Sequence, residues 1–392
     1  MISAARKLLT IIGLIAVIGI IIAFTVVPTV IDKTSNRVLG DAGAAPSETT
    51  LALHQSLLIA DLHADTALWL RPLNDDSDYG HVDLPRMAQG NMALQVFTTV
   101  TKSPRGQNYE RNASDAPDNI TLLAILQRWP PETFGSLFER ARYQARRIVT
   151  EATHNPQLNL ILNQADLHAL QMARRRGSTV MGAIIGTEGS HALDGDLDNI
   201  DRLYDEGFRM MSLQHFFDNR LGGSLHGESQ GGLTPFGVDA VKRMLARHIA
   251  IDVSHSSEAV VRDVLEIVQG PIIVSHTGFK GHCDQPRNIS DETMAMIAEQ
   301  GGLIGVGFWD GAICETSIAA VAEAIRYGID HFGLEHIALG SDWDGTIDSP
   351  IDASQLAHLT QALVDIGLSD AEIRAVMGEN TLRFFSRALP EA

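Results

Sequence analysis

Hydrophobic and polar positions divide the chain into unequal parts. From Leu8 to Ile31 no residue is charged, a run of 24 positions. At ~1.5 Å per residue such a run crosses a hydrocarbon core of about 30 Å as a somewhat tilted helix. Arg6 and Lys7 precede it, and the excess of positive charge on the cytoplasmic side places the N-terminus inside and the rest of the chain outside. The competing reading is a cleaved leader, whose apolar region usually spans about 7–15 residues. The small residues within Asp41–Ala45 offer a cleavage site for it. The expectation is a cytoplasmic stub and signal-anchor over 1–31 and a catalytic body that is periplasmic or extracellular. Residues 32–50, rich in Ala, Gly, Ser and Thr, read as a linker.

Over 51–392 short β-branched runs alternate with stretches of helical apolar spacing. The predicted strands are Leu57–Leu62, Met92–Thr99, Val180–Gly186, Arg209–Leu213, Ile249–Val253, Ile272–Ser275, Leu303–Gly307 and Ile337–Gly340. Helical spacing marks Thr234–Arg247, Ser257–Gln269, Asp291–Gln300 and Ser317–Phe332. Eight strands separated by helices predict an α/β fold, a (β/α)8 TIM barrel. An open doubly wound sheet is the alternative, but no G-x-G-x-x-G follows the first strand. A long excursion over about 101–163, with Pro104, Pro117, Pro130 and Pro131, interrupts the alternation. Within it Asn119–Gln127 and Thr133–Thr153 read as two helices capping the barrel's mouth.

Composition narrows the function. The formal net charge is −18 and no Lys/Arg block exists, which excludes a nucleic-acid binder. Two cysteines, Cys283 and Cys314, exclude a cysteine-rich scaffold or zinc finger. In an exported domain such a pair reads as a disulfide rather than as two reactive thiols, with two unrelated buried thiols as the other reading.

The chemistry gathers at the strand ends. Strand one ends in Asp61-Leu-His63-Ala-Asp65, strand three in Gly186-Thr-Glu188-Gly189 and strand four in Leu213-Gln-His215. Strand five ends in Asp252-Val-Ser-His255, strand six in Val274-Ser-His276 and strand eight in Gly340-Ser-Asp342-Trp-Asp344. In a barrel all these ends face one mouth, where active sites form. His63 and Asp65 share a face of an extended chain and can grip one cation. His255 and His276, from successive strands, could hold a second, and Glu188 could bridge both. Any one of these residues alone is more often structural; six strands delivering them together is not. Imidazole and carboxylate donors without thiolates suit Zn²⁺, with Mn²⁺ or Co²⁺ as alternatives. Two such metals hold a bridging hydroxide at neutral pH, for which Asp342 is the natural proton shuttle. Arg287, just past strand six, suits a substrate carboxylate, or else a surface salt bridge. His215 could donate a hydrogen bond to a developing oxyanion, or make a structural bond.

These motifs resemble the membrane (renal) dipeptidases, metallopeptidase family M19 of the amidohydrolase superfamily. The resemblance runs from about Leu57 to Arg383 and includes Gln285-Pro-Arg287-Asn-Ile-Ser-Asp291 and Gly378-Glu-Asn380-Thr-Leu-Arg383. It implies a TIM barrel that cleaves free dipeptides with two zinc ions. His63, Asp65 and Glu188 would hold one zinc, and Glu188, His255 and His276 the other. His215 would meet the peptide carbonyl, Arg287 the terminal carboxylate, and Asp342 would shuttle the proton. It also favours the Cys283–Cys314 disulfide and a homodimer. The 101–163 region matches no family pattern, and the N-terminal helix stands where animal members carry a C-terminal lipid anchor. A lactam or N-acyl-amino-acid amidohydrolase on the same site is the alternative activity.

Overall fold

In a computed structural model the protein is described over residues 2–39 and 42–391, the side chains of 2–5 excepted. Gly40 and Asp41, the latter opening the candidate cleavage stretch, lie outside the described residues. Of the nine strands of the central sheet, the short Leu158–Leu160 pairs only with Met181–Ala183, and eight form the barrel: β1 (Ile59–Ala64), β2 (Met92–Val100), β3 (Met181–Glu188), β4 (Phe208–Ser212), β5 (Ala250–Asp252), β6 (Ile273–Thr277), β7 (Leu303–Val306) and β8 (Ile337–Leu339). Each pairs in parallel with its neighbours in sequence, and β8 returns to β1, so the ring closes. The eight predicted strands are these eight, shifted by a residue or two at their ends. Every residue of β2 and β3 is buried, as expected of parallel strands covered on both faces.

One apolar cluster takes a residue from every strand: Ala60, Leu94, Ile184, Met210, Ala250, Ile273, Leu303 and Ala338. Leu382 and Phe385 of the last helix, Asn380–Ala388, join it and close that end. Apolar residues therefore fill the barrel near the strand starts, and the polar strand ends are left for the opposite mouth. The helices between strands start where the sequence supplies a hydroxyl. Thr234, Ser257, Ser290 and Ser317 each accept a hydrogen bond from the backbone three residues on, worth about 1 kcal/mol apiece.

Two expectations need correction, and one gains detail: the uncharged run over Leu8–Ile31 lies inside a single membrane-span candidate, Arg6–Ser35, helical on both sides of a turn at Val26. A helix over Ile2–Thr25 stands clear of the body, and a second, Val27–Ser35, follows with Pro28 in its first turn. Pro28 and Asp32 are buried against the barrel, because an apolar face can be covered by protein as well as by lipid.

Residues 32–39 are not a free linker. Arg37–Val38 pairs in parallel with Asp348–Ser349. Asp32 accepts from Arg71 Nε at 2.9 Å, and Asn36 Oδ1 accepts from the Thr346 backbone at 3.0 Å.

The excursion contains the two expected helices, as Asn119–Leu126 and Leu137–His154, but the second is no cap. It lies along the barrel wall, where Gln144 exchanges hydrogen bonds with both backbone groups of Val100 and Arg140 donates to the Thr101 carbonyl. Only its earlier part, Ser103 to Ile120, reaches the mouth.

Candidate metal centre and active site

Glu188, at the end of β3, is the hub of the mouth. Its Oε1 lies 3.2 Å from His255 Nε2, 3.4 Å from His276 Nε2 and 3.6 Å from His63 Nε2. Its Oε2 lies 3.4 Å from His215 Nε2. Asp65 Oδ1 and Asp342 Oδ1 stand 3.6 and 3.9 Å from His63 Nε2. The structure thus brings together every residue the sequence nominated for metal, and all are buried. Two overlapping groups have donor atoms close enough to share an ion: His63, Glu188, His276 and Asp342, and Glu188, His215 and His255. Asp342 and His215 also fall within these groups, and Asp65 Oδ1, 3.6 Å from His63 Nε2, adjoins them.

Whether these residues fit a metal is decided by their protons. Ser275 donates its hydroxyl to Asp252 Oδ2 at 2.6 Å. A serine oxygen keeps two lone pairs, and the Nδ1 atoms of His63 and His276 approach it to 3.0 and 2.9 Å. Both rings therefore carry their proton on Nδ1 and turn a bare Nε2 lone pair toward Glu188. That is the tautomer a metal ligand requires. His255 and His276 face each other Nε2 to Nε2 at 3.0 Å, an approach that a cation between donors explains better than a hydrogen bond.

The charges agree. Burial, helped by Arg287 for His255 and by His63 for His276, drives both imidazoles well below their usual range, so they are neutral donors. Burial and the carboxylates of Asp65 and Asp342 push Glu188 well up. Burial likewise pushes Asp342 up to about 7, with His63 opposing and Asp65 adding. Asp65 is held down against burial by His63 and the Thr98 hydroxyl. Three carboxylates in one dry volume repel one another, and a divalent cation removes that repulsion. The donor set fits hard or borderline divalent metals.

Around this centre the mouth is shaped for an amide with a carboxylate. Arg287 is 1% exposed, yet Nη1 has no hydrogen-bond partner. Nη2 reaches the His276 carbonyl at 3.2 Å, and the guanidinium lies 5.1 Å from the ring centre of Trp309. A buried guanidinium with a free N–H edge is costly until an anion pairs with it. It is no surface salt bridge.

His215 makes a structural bond with one ring nitrogen and turns the other toward Glu188. Its Nδ1–H is spent on the Lys102 carbonyl at 3.0 Å, so the neutral ring offers a lone pair at Nε2. Burial lowers it to about 4. To donate to an oxyanion it must gain a second proton, which only a negative charge formed at Nε2 would stabilise. Asp342 and His255 both hold left-handed backbone, with φ of 61° and 62°, a conformation non-glycine residues adopt rarely and often at functional sites.

Several contributors escaped the sequence reading. Ser275 and Asp252 set the histidine tautomers. Tyr109, from the excursion, closes the pocket and accepts from Trp309 Nε1 at 2.9 Å. Asp344 is held by Arg71 Nη2 at 2.7 Å, the Thr66 hydroxyl and the His81 backbone. A serine beside a strand-end histidine was the one visible signal. Cys283 and Cys314 are joined, with Cα atoms 5.6 Å apart. The bond ties the loop that carries Arg287 to the helix Asp310–Ile313 that follows Trp309.

Comparison with known proteins points the same way. Residues 47–390 match the family described as membrane dipeptidase, peptidase family M19. A dipeptidase of Aspergillus oryzae (aclJ) is 26% identical over 348 residues, covering 83% of this chain and 76% of its own. The probable dipeptidase PvdM of Pseudomonas aeruginosa superposes with a TM-score of 0.70 at 19% identity, covering 87% of this chain and 98% of that one. A metallopeptidase of Rhodobacter sphaeroides, solved with a phosphinate mimic of the dipeptide L-Ala-D-Ala, gives a TM-score of 0.65 at 21% identity, over 85% and 99% of the two chains.

Proposed function

Since the chain belongs to the membrane dipeptidase family, peptidase family M19, and is a metal-dependent hydrolase of that kind, we propose that it is a membrane-anchored binuclear zinc dipeptidase acting on free dipeptides. The observation that carries this reading is the convergence of four imidazole Nε2 atoms, 3.2 to 3.6 Å from one buried carboxylate, beside an Arg287 Nη1 that lacks a partner. His63, Asp65 and Glu188 would hold one cation, and Glu188, His255 and His276 the second. When bound, the metals supply Lewis-acid polarisation of the scissile carbonyl and an activated water.

The chain's own residues do the rest. Arg287 takes the terminal carboxylate through Nη1 and Nη2, fixing the peptide bond over Glu188. Asp342, at the mouth and close to His63, accepts a proton from the attacking water and returns it to the leaving amine. Its raised pKa suits both halves of that transfer. His215, held at Nδ1 by the Lys102 carbonyl, would turn its Nε2 edge toward the carbonyl oxygen and donate to it there only when it enters the reaction as the imidazolium. Tyr109, Phe216 and Trp309 line the pocket and keep bulk water from it.

The anchor reading is supported by an exposed N-terminal helix long and apolar enough to cross a membrane. The buried positions of Asp32 and Asn36 favour retention over cleavage, because removal at residues 41–45 would leave Arg71 without Asp32 and Thr346 without Asn36. The joined cysteines suit a periplasmic or extracellular body, and the family resemblance carries the homodimer.

The test is metal content per chain with hydrolysis of a small dipeptide panel before and after chelation. Two zinc equivalents and chelator-sensitive cleavage are expected. Replacing Arg287 by Met should raise KM for carboxylate-bearing substrates by 10²-fold or more, roughly what a charge-assisted bidentate contact contributes. Metal without dipeptide turnover would move the assignment to a lactam or N-acyl-amino-acid amidohydrolase.

A further inference from the structure

We infer that this site accepts amides whose acyl part carries a long apolar tail, N-alkanoyl amino acids as a class. The tail would lie in a groove built jointly by the segment after the N-terminal helix and the helix Asn119–Leu126. The inference rests on the proposed role of Arg287 as carboxylate anchor.

A groove of about 370 Å³ runs beside the metal pocket, walled by Ile31, Leu68, Trp69, Ile120, Leu123 and Leu126. Leu68, Ser103, Gln107, Ile120 and Thr346 line both hollows, so the two adjoin. Its floor is well built: Leu68, Trp69, Ile120 and Leu123 belong to one buried cluster, and Ile31 packs on it.

The direction of the groove fixes which end of a substrate meets it. Arg287 lies on the His255 side, with Nη2 3.3 Å from His255 Nε2. Leu68 lies on the other side, one short helical turn after Asp65, and Thr346 follows Asp342 on the same loop. A substrate with its carboxylate on Arg287 and its amide over Glu188 therefore points its acyl end at Leu68 and Thr346, into the groove.

The wall contributed by Val27–Ser35 is fixed to the catalytic loop. Buried Asp32 holds Arg71, which pairs with Asp344, and Asn36 accepts from the backbone of Thr346, a groove residue itself. That wall precedes residue 47, where the match to the family begins. Leu122, 52% exposed, edges it, and Val30, 51% exposed, adjoins Ile31 near the C-terminal end of the membrane-span candidate Arg6–Ser35. An alkyl chain is the occupant that apolar walls and a polar head site accept together.

The reaction is hydrolysis: water's oxygen joins the acyl carbon, the C–N bond breaks, and the amino acid leaves with the proton. The experiment uses the full chain in lipid nanodiscs with two zinc equivalents. It compares N-acetyl-, N-butanoyl-, N-octanoyl- and N-dodecanoyl-alanine with Ala-Ala. kcat/KM should rise by up to about fourfold per methylene, equivalent to ~0.8 kcal/mol, and level off once the groove is filled. Ser35→Trp, at the groove but not in the metal pocket, should flatten that rise and leave Ala-Ala turnover within twofold; Leu126→Trp is the second filler should the first misfold. A flat profile in the native chain, or no cleavage of any acyl-alanine, overturns the inference. If Ala-Ala is still cleaved, this inference alone falls; if it is not, the proposed function falls with it.

Discussion

Replacing Ser275 by Ala deletes a single oxygen and should unsettle two metal ligands at once. That oxygen accepts Nδ1–H from His63 and His276 at 3.0 and 2.9 Å while donating to Asp252 at 2.6 Å. Without it both buried Nδ1–H groups lose their partner, each at a cost of ~1–3 kcal/mol. Either ring then gains by moving its proton to Nε2, which removes the lone pair that a metal needs. Loss of such a supporting contact typically lowers metal affinity by about 10–100-fold. With two ligands affected, the upper end is expected, about 100-fold or ~3 kcal/mol. The fold should survive, since Asp252 Oδ1 still accepts from the backbones of Ser254 and Ser275, both at 2.9 Å. The assay is chelator competition for bound zinc, read as metal retained per chain, with circular dichroism as the fold control. Ser275→Thr, which keeps a hydroxyl, should recover most of the affinity. An Ala variant that surrenders its zinc at the native chelator concentration would refute the tautomer argument.

Four further outcomes follow from the same geometry. Asp342→Asn should retain metal yet lose about 10²–10⁴-fold in kcat, the usual contribution of a positioned acid–base group; native turnover would remove the shuttle role. Arg71→Met leaves the buried Asp32 and Asp344 carboxylates uncompensated and should cost about 3–5 kcal/mol in urea unfolding, with a change under ~1 kcal/mol contradicting it. Cys283→Ser with Cys314→Ser opens a loop of sequence separation 31; about 3–4 kcal/mol of stability should go, and KM should rise more than kcat falls because the bond braces the Arg287 loop. Burial lowers His54 to about 4 from the ordinary 6.5, so the unfolded chain takes the proton first. Its contribution is complete above pH ~6.5 and is lost as pH falls toward ~4, up to about 3 kcal/mol; the acid slope of thermal unfolding should shrink in His54→Gln.

The parts legible in the sequence are those in which local pattern and destination coincide. A parallel barrel sends every strand end to one mouth, so His63, Glu188, His255, His276 and Asp342 could be gathered by noting where β-branched runs stop. What stayed hidden depends on which partner a residue finds. Ser275 beside His276 is an ordinary pair until His63 and Asp252 arrive from other strands. Asp32, Arg71 and Asp344 form a single ion chain, yet Asp32 and Arg71 are 39 positions apart, and no spacing rule links them to Asp344.

Apolar pattern has the same blindness. It reports that a face will be covered and not by what. Leu137–His154 carries an apolar stripe that suits a cap or a barrel wall equally, and the hydrogen bonds of Gln144 to Val100 decide for the wall. Pro28 and Ile31 extend the uncharged run as bilayer residues would, yet they pack on protein. The deciding sign was polar: Asp32, Asn36 and Arg37 end that run, and all three have partners on the barrel at Arg71, Thr346 and Asp348. An apolar run that ends in buried polar residues is built into the domain that follows it. Here that joint, through Ile31 and Ser35, forms one wall of the groove beside the site.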